Sequence, residues 1–458
     1  MKPTEIKIAY IGGGSRYWAR DLLADLAQST RLTGHVALYD IDRAAAEKNA
    51  AIATAIFSRP DARTRFSVRA VARLPDALRG ADFVVLSIEP GPTQMRSVDL
   101  EIPARHGIVQ PVGDTTGPGG ISRAMRAIPL YTGFARQIDK YCPRAWVINY
   151  TNPMTLCTAA LYAAVPRIKA FGCCHEVFHT QDRIADLVAR WFGCARPSRA
   201  QIEVDLNGIN HFTWVTAASW RGRDLMPRLR SLASEPSFFR SRKRLALANR
   251  RAERWFDSPG LIAFDMLRRF GALGAAGDRH LSEFMPWYAS SEAELHRWGV
   301  VLTPYSWRLR RSRKADSGIE DYASGKLSAS GEEGVKLIEA LAGIAPLDTN
   351  VNLPNRGQSP DLPAGHVVET NARFRRDHVA PVAAKALPPA AAALVRRVVE
   401  VQQLTLRAVL ERDSDLVFQA MLLDPLVRIP SDEAHRMFKS MMRSLAPQLR
   451  GWRLPAAR

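Results

Sequence analysis

The chain has 458 residues, of which 47% are hydrophobic, so it can bury substantial cores and exceeds the length of one typical domain. No apolar run reaches the roughly 18 to 20 residues that cross a bilayer, and the first residues lack a signal peptide's apolar stretch. A cytoplasmic protein with no membrane partner is therefore expected. The five cysteines are expected to be free thiols, because an odd, sparse set does not resemble a disulfide framework.

A net charge of +19 raises the question of nucleic-acid binding, because basic proteins release counterions when they bind phosphates. The densest arginine clusters, at residues 240–254 and 308–314, lack the regularly interleaved aromatic residues of a single-strand binding surface. A basic surface that attracts anionic small substrates is therefore favoured over nucleic acid.

The chain opens with a pattern that is typical of dinucleotide binding. Residues 6–11 form a short β-rich run, a glycine turn follows, and residues 17–26 can continue as a helix. Glycines let the backbone approach a pyrophosphate, and the amides at the helix start face the anion. The candidate cofactor residues in the turn are Gly12, Gly13, Gly14 and Ser15. Tyr17 occupies the place of the third glycine in the usual fingerprint.

Asp40 supports the same interpretation. It follows the next strand pattern, residues 35–39, at about the distance expected for a carboxylate that accepts hydrogen bonds from the adenosine ribose. An acid rather than an arginine at this position favours NAD over NADP. The alternative role, capping of a helix, applies at least as well to Asp42 nearby.

Further apolar strand patterns follow at residues 83–88 and 146–150, separated by helical or irregular segments. Such alternation predicts an α/β fold with an N-terminal doubly wound, Rossmann-like parallel sheet, the architecture of lactate and malate dehydrogenases. We assign residues 1–180 to this NAD-binding domain and residues 181–458 to a C-terminal mixed α/β domain that binds substrate and metal. Helices are predicted at residues 180–192 and 391–412. Ligands should gather where the strands end, near residues 89–91, 151–153 and 172–175.

Residues 171–211 contain a candidate metal site. Cys174 and His175 follow a strand end, and a second imidazole, His211, lies about one supersecondary unit downstream. Thiolate and imidazole groups are ligands for divalent metals. The alternative is that these side chains are ordinary buried core residues.

Taken in order, these motifs resemble the NAD- and metal-dependent glycosidases of glycoside hydrolase family four. The matching segments are residues 12–15, 95–96, 106–107, 113–120, 149–153, 172–175, 208–211 and 351–355. Residues 174–178 and 277–284 look most like the α-galacturonidase branch, with α-galactosidases next. The resemblance covers about the first four-fifths of the chain.

The resemblance implies a hydrolase that uses dehydrogenase chemistry. Most glycosidases use a pair of catalytic carboxylates, and this family is an exception. NAD+ removes hydride from carbon-3 of the sugar, which acidifies the hydrogen on carbon-2. A base takes that proton while a metal, usually Mn2+, stabilises the enediolate, and the glycosidic oxygen leaves by elimination. Water then adds to the unsaturated ketone, and NADH returns the hydride.

The resemblance also implies roles for individual residues. Cys174 and His211 match the metal ligands, and two sugar oxygens can complete a manganese shell. The other matched positions are His175 as the acid for the leaving oxygen, Asp114 as the group that raises the basicity of the base, and Arg96 and Asn152 as substrate contacts. For the carbon-2 base, Asp278 is the first choice and His280 the second, because relatives use a Tyr or an Asp in this region and this chain has no Tyr there. Structural roles in turns or in the core are the alternatives for each.

The substrate expected is a small α-glycoside, with α-galacturonides favoured, and a homo-oligomer is expected. An α-galactosidase or α-glucosidase of the same family is the nearest alternative. A 2-hydroxy-acid dehydrogenase would share the N-terminal architecture but would need no metal. A basic NAD-sensing or nucleic-acid-binding regulator is the alternative from another class, and the absence of a recognisable recognition helix counts against it.

Overall fold

The computed structural model describes residues 2–303, 307, 310, 327 and 329–452. The first part is built from strands that alternate with helices. The strands are β1 (Thr4–Ile11), β2 (Leu32–Tyr39), β3 (Phe66–Val71), β4 (Phe83–Leu86), β5 (Trp146–Asn149) and β6 (Lys169–Gly172). The helices are α1 (Trp18–Gln28), α2 (Arg43–Ser58), α3 (Leu74–Leu78), α4 (Met95–Arg105), α5 (Gly117–Tyr141) and α6 (Met154–Ala164).

These strands lie in the order β3-β2-β1-β4-β5-β6, and every neighbouring pair is parallel. Successive residues of a strand point to opposite faces of its sheet. In β1, Ile8 and Tyr10 pack into one hydrophobic core, whereas Ala9 and Ile11 pack into the other. Helices cover both faces, which is why the strands are almost wholly apolar. The predicted doubly wound, Rossmann-like sheet is confirmed.

The later part of the chain adds a second sheet and extends the first. Strands β7 (Ile202–Ile209), β8 (Phe212–Trp220), β9 (Arg223–Asp224) and β10 (Leu273–Gly274) form the antiparallel second sheet. Strands β11 (Leu347–Pro354), β12 (Val367–Arg375) and β13 (His378–Pro381) continue the first sheet beyond β6 in antiparallel orientation. The two regions divided by the predicted boundary at residue 180 therefore share one sheet, and the boundary itself stays a prediction.

The described helices of this later part surround the two sheets. They are α7 (Glu176–Phe192), α8 (Met226–Ala233), α9 (Pro236–Arg251), α10 (Leu261–Phe270), α11 (Asp278–Leu281), α12 (Glu292–Arg297), α13 (Gly334–Leu341), α14 (Pro389–Glu411), α15 (Ser414–Leu423) and α16 (Ser431–Leu445). Helix α5, buried along much of its length, packs against α6, α14 and α15 and joins the two regions. Helix α14 follows the predicted segment 391–412 closely.

Helix α7 begins at Glu176, four residues before its predicted start, and ends at Gly193, which has a left-handed φ of 58°. Its first turn therefore follows directly on the strand end at residues 172–175. The earlier start places Glu176 and His179 on the same helix face as Arg183, because residues three, four and seven apart lie above one another. This face lines the candidate site.

Three sequence predictions concern the surface and the thiols. All five cysteines are free. Within the described residues, no helix is both long enough and apolar enough to span a membrane. Of the predicted basic cluster at residues 308–314, all but Arg310 lies outside the described residues, while the cluster at 240–254 lies mostly in α9.

Candidate active site

The glycine turn after β1 is held close to the neighbouring strands. Gly12 has a φ of 94°, and a Cβ there would lie 1.9 Å from the carbonyl oxygen of Ser87. The amides of Gly12 and Gly13 both donate to the carbonyl oxygen of Tyr39 at 2.9 Å. Only glycine fits the first of these positions, since it combines a positive φ with close backbone approach.

Asp40 follows the end of β2 and contacts the same turn. Its Oδ2 accepts a hydrogen bond from the amide of Gly14 at 2.8 Å, and its Oδ1 accepts one from the amide of Asp42 at 2.9 Å. An ionised carboxylate has about four lone-pair positions, so capacity remains for a ribose hydroxyl. Asp42 is the residue that caps α2, through the amide of Ala45 at 3.1 Å.

Asn49 holds the glycine turn through side-chain hydrogen bonds. No sequence pattern predicted this role. Its Nδ2 donates to the carbonyl oxygens of Gly13 at 2.7 Å and Ser15 at 2.9 Å, and its Oδ1 accepts from Nε of Arg20 at 2.9 Å. Asn49 is fully buried in α2. The shape of the turn therefore depends on a polar residue that the fold brings in from the next helix.

A cavity of about 550 Å³ opens beside this turn, where the strands end. Trp18, the first residue of α1, forms part of its wall and stacks on Tyr150, with 5.6 Å between ring centroids. The sequence-predicted residues that line the cavity are Arg96, Asp114, Asn152, Cys174, His175, His211 and His280. Predicted metal and substrate residues thus meet beside the predicted dinucleotide turn.

Three donor groups converge in this cavity. The ligand atoms of Asp114, His211 and His280 all lie within 4.8 Å of one another. Asp114 precedes α5, His211 lies in the turn between β7 and β8, and His280 belongs to α11. The two imidazole rings stack with 3.9 Å between their centroids. Two imidazoles and a carboxylate form a donor set suited to a divalent metal.

The hydrogen bonds around His211 determine its tautomer. The Thr115 hydroxyl donates its single proton to Oδ1 of Asp114 at 2.7 Å and also lies 3.0 Å from Nδ1 of His211. Because that proton is already used, Nδ1 must be the donor in the second contact. Burial, followed by the nearby His280, lowers the pKa of His211 to about 3. The ring is therefore neutral, and the lone pair on Nε2 is available to a metal.

Asp114 is held by polar and cationic neighbours. Nδ2 of Asn152 donates to its Oδ2 at 3.2 Å. Burial opposes ionisation, but the His280 imidazole and the Arg123 guanidinium hold the pKa of Asp114 well below its usual range. Asp114 is therefore an ionised carboxylate.

Cys174 lines the cavity but lies outside this group of three. Burial, followed by the carboxylates of Glu369 and Glu176, raises the pKa of its thiol well above the usual range. The side chain of Asn210 is close enough to lower that pKa in part. The structure therefore brings Cys174 and His211 to one cavity, and the ligand role of Cys174 stays a prediction.

His175 immediately precedes α7 and lines the cavity. Its Nδ1 is 3.2 Å from Oε1 of Glu332, and its ring centroid is 5.5 Å from that of Trp18. Burial lowers the pKa of His175, although the Glu176 carboxylate opposes that shift. With Glu176 and His179 it forms a second group whose ligand atoms lie within 4.8 Å of one another.

Glu176 is a site residue to which sequence reasoning gave no role. Its Oε1 lies 3.7 Å from Nε2 of His280, and its Oε2 accepts from the amide of Gly277 at 2.6 Å. Burial raises its pKa, but His280 and His175 outweigh that effect and lower the value to about 2. An ionised carboxylate therefore lies beside the His280 ring, and the earlier start of α7 brings it there.

Arg96 and Asn152 belong to one polar network on the cavity wall. Nη2 of Arg96 lies 3.5 Å from Oε2 of Glu89, which also pairs with Arg123. Nε of Arg123 donates to the carbonyl oxygen of Asn152 at 2.9 Å. The network leaves both predicted substrate residues facing the cavity.

Asp278, the first choice for the carbon-2 base, occupies a structural position. Its carboxylate accepts hydrogen bonds from three amides at the start of α10, those of Leu261, Ile262 and Ala263, at 2.8, 3.0 and 3.1 Å. It is fully buried and is not among the residues that line the cavity. This placement favours His280, the second choice, for a role in chemistry.

Replacing Asp278 by asparagine is expected to lower the free energy of unfolding by about 1–3 kcal/mol, because an amide cannot accept all three hydrogen bonds. Thermal denaturation of the purified variant measures this change. Asp257→Asn is the matched control, since that partly exposed carboxylate pairs with Arg254 and such a surface pair contributes about 0–1 kcal/mol. Equal stability of the two variants would contradict the structural role.

Comparisons with known proteins agree with this site. The model of the family 4 glycosyl hydrolases matches residues 7–190, and the model of their C-terminal domain matches residues 206–427. The α-galacturonidase of Thermoanaerobacterium saccharolyticum is 43% identical, and the match covers 99% of each chain. The crystal structure of lplD from Bacillus subtilis has a TM-score of 0.87 and 43% identity, covering 96% of this chain and all of that one.

A more distant structure shares the fold at 19% identity. It is a 6-phospho-α-glucosidase from gut microorganisms, solved in complex with NAD and Mn2+; its TM-score is 0.77, and the match covers 98% of this chain and all of that one. The family models together span most of the chain, and the residues they match include the glycine turn and the cavity. The chain therefore belongs to glycosyl hydrolase family 4, and it is a glycosidase.

Proposed function

We propose that this glycosidase hydrolyses α-galacturonides with the help of NAD+ and a divalent metal such as Mn2+. The observation that carries the proposal is the neutral His211 ring, with Nε2 available beside Asp114, in a cavity whose wall includes the start of the predicted dinucleotide-binding helix. The high identity to an α-galacturonidase supports the choice of sugar. A cytoplasmic location and a homo-oligomeric assembly remain predictions.

The residues present fit both cofactors. Strand β1, the glycine turn and the start of α1 form the arrangement that binds a pyrophosphate, and Asp40 keeps acceptor capacity for a ribose. The residues proposed to hold NAD+ are Gly12, Gly13, Gly14, Ser15 and Asp40, and those proposed for the metal are His211, Asp114 and Cys174. When bound, NAD+ supplies reversible hydride acceptance, and the metal supplies Lewis-acid stabilisation of negative charge on sugar oxygens.

Different side chains of the cavity are proposed to carry out the two proton transfers. We assign removal of the carbon-2 proton to His280, since it lines the cavity and the ionised Glu176 carboxylate beside it would stabilise the imidazolium that forms. His175 is proposed to protonate the leaving glycosidic oxygen from the other side of the cavity. Arg96 and Asn152 are proposed to hold the sugar hydroxyls, and Asn152 also fixes Asp114.

Hydrolysis of p-nitrophenyl α-galacturonide, α-galactoside and α-glucoside, each with and without NAD+ and Mn2+, tests the proposal. The galacturonide is expected to be cleaved fastest, only when both cofactors are present, and without net formation of NADH. Faster cleavage of a neutral glycoside would overturn the choice of sugar. Net NADH formation from a 2-hydroxy acid, with no glycoside cleavage, would overturn the proposal itself.

Gly12→Ala is expected to weaken NAD+ binding at least tenfold and to lower the free energy of unfolding by about 1–3 kcal/mol, because its Cβ would clash with Ser87. Fluorescence titration with NAD+ and thermal denaturation measure the two effects. Gly133→Ala in α5 is the matched control, because a Cβ there meets nothing within 4 Å, and it should be neutral or slightly stabilising. Unchanged NAD+ affinity in Gly12→Ala would contradict the assignment of this turn.

A further inference from the structure

Two arginines on separate helices line the same part of the cavity. On α7, Glu176, His179 and Arg183 lie along one helix face, and on α9 Arg242 and Asn249 lie along another. Arg183 is seven residues beyond Glu176, or about two helical turns. Side chains on a helix lean toward its N-terminus, so the Arg183 guanidinium extends back toward Glu176, which lies within electrostatic range of it. This pair of arginines, 183 and 242, is called the arginine pair below.

Neither member of the arginine pair has an acidic partner in contact, in contrast to Arg96 and Arg254. Among the described residues, no carboxylate oxygen lies within 4.0 Å of either guanidinium. Nη2 of Arg183 donates to the carbonyl oxygen of Ser258 at 3.2 Å, and its Nη1 has no hydrogen-bond partner. Arg242 lies over the Phe238 ring, with Cζ 5.1 Å from the ring centroid.

The neighbouring arginines, by contrast, are already bound. Arg96 lies beside Glu89, and Arg254 pairs with Asp257. Arg279 donates to the carbonyl oxygens of Trp255 and Pro111 at 2.8 and 2.7 Å. Among the described residues, the arginine pair therefore brings to this wall two guanidinium groups with no carboxylate in contact.

The carboxylates nearest in electrostatic terms cannot serve as full counter-ions. Asp278 and Asp186 both act on Arg183 and Arg242 from a distance. Asp278 is occupied by three amides of α10, and Asp186 lies 2.6 Å from Nε of Arg196. Burial lowers the pKa of both arginines, and Arg183 lowers that of Arg242 further. Two partly buried cations held near each other create a site that an anion would stabilise.

A glycine in the backbone leaves room for the Arg183 guanidinium. A Cβ on Gly260 would lie 2.9 Å from Cζ of Arg183. Gly260 precedes α10 and has a φ of 80°, a conformation that other residues rarely adopt. The guanidinium therefore occupies space at the cavity wall that only a residue without a side chain provides.

We propose that Arg183 and Arg242 together bind the carboxylate of a uronide substrate and so determine the preference for galacturonides over neutral galactosides. This inference rests on the proposed function and deepens it. A planar guanidinium matches a carboxylate through two parallel hydrogen bonds, and a hydroxymethyl group in the same place would leave both cations unpaired. A sugar phosphate offers the same anionic chemistry, and the experiment below separates the two.

Arg183→Met and Arg242→Met remove the charge while keeping length and apolar stem. We expect each to lower kcat/KM for p-nitrophenyl α-galacturonide by about 10- to 100-fold, since a hydrogen bond to a charged group is at stake. The value for the α-galactoside should change less than about threefold. Arg244→Met is the matched control, because Arg244 is an exposed residue of α9 that does not line the cavity. An equal loss on both substrates, or no loss on either, would overturn the inference.

Calorimetric titration of the holoenzyme separates this inference from the proposed function. Galacturonate, galactose and galactose 6-phosphate are the three probes; in the two variants galacturonate affinity should fall, and the affinity for uncharged galactose should not. Tighter binding of galactose 6-phosphate than of galacturonate by the unaltered protein would overturn the carboxylate assignment. If the unaltered enzyme cleaves no galacturonide, the proposed function fails. If it does so and the variants match it, only the inference fails.

Discussion

Replacing His211 by alanine is expected to lower kcat/KM for p-nitrophenyl α-galacturonide by about 10³-fold. Burial keeps its ring neutral, and the Thr115 contact fixes the tautomer that leaves Nε2 available, so the substitution removes a prepared metal ligand from the cavity. Polarisation by a metal contributes several kcal/mol to a transition state, and about 1.4 kcal/mol corresponds to a factor of ten. Steady-state kinetics at saturating NAD+ and varied Mn2+ measure the loss.

The control for this prediction is His179→Ala, because His179 belongs to the other group of three possible ligands in the cavity. Mn2+ affinity, measured by titration, should fall in His211→Ala and remain in His179→Ala. The reverse pattern would move the metal from the proposed ligands Asp114, His211 and Cys174 to the group at the start of α7.

His280→Gln is expected to lower kcat by about 10²- to 10⁴-fold, which is the usual contribution of a general base. Glutamine can still contact Glu176, but its amide cannot take a proton from carbon-2. Turnover and exchange of the carbon-2 hydrogen with solvent should fall together in this variant. Assays in deuterated water that are quenched at set times measure the turnover rate and the rate of carbon-2 hydrogen exchange.

The same variant distinguishes a base from a ligand. His280 lies close enough to Asp114 and His211 to share a metal with them. If it acts as the base, Mn2+ affinity in His280→Gln should stay within about threefold of the original value. A fall as large as in His211→Ala would show that His280 binds the metal and would leave Glu176 as the next candidate for the base.

Local patterns made the dinucleotide half of the molecule predictable. The glycine turn, the apolar strands and Asp40 each carry their signal within a few residues, and the structure places them next to one another. The edge of the same sheet could not be predicted in this way. Strand β11 joins β6 through the pairing of Asn352 with Gly172, a contact between distant parts of the chain that leaves no local periodicity.

The site residues show the same division. Cys174, His175 and His211 were found by residue type and motif, and all three line the cavity. Asp278 was taken for a base because an acid in that motif suits one, yet it caps a helix that begins 17 residues earlier. Capping residues are recognised in a sequence because they directly precede the helix, so a cap from a residue far away along the chain cannot be predicted. Glu176 was missed because its role depends on where α7 begins.

Hydrolysis in deuterated water tests most directly whether this cavity cleaves glycosides by removing and replacing the carbon-2 hydrogen. The unaltered enzyme, with NAD+ and Mn2+, should release galacturonate that carries one deuterium at carbon-2 for each molecule cleaved, as read by mass spectrometry and proton resonance. Release of galacturonate that retains its original carbon-2 hydrogen would contradict the account, since neither His280 nor any other base would then be needed there.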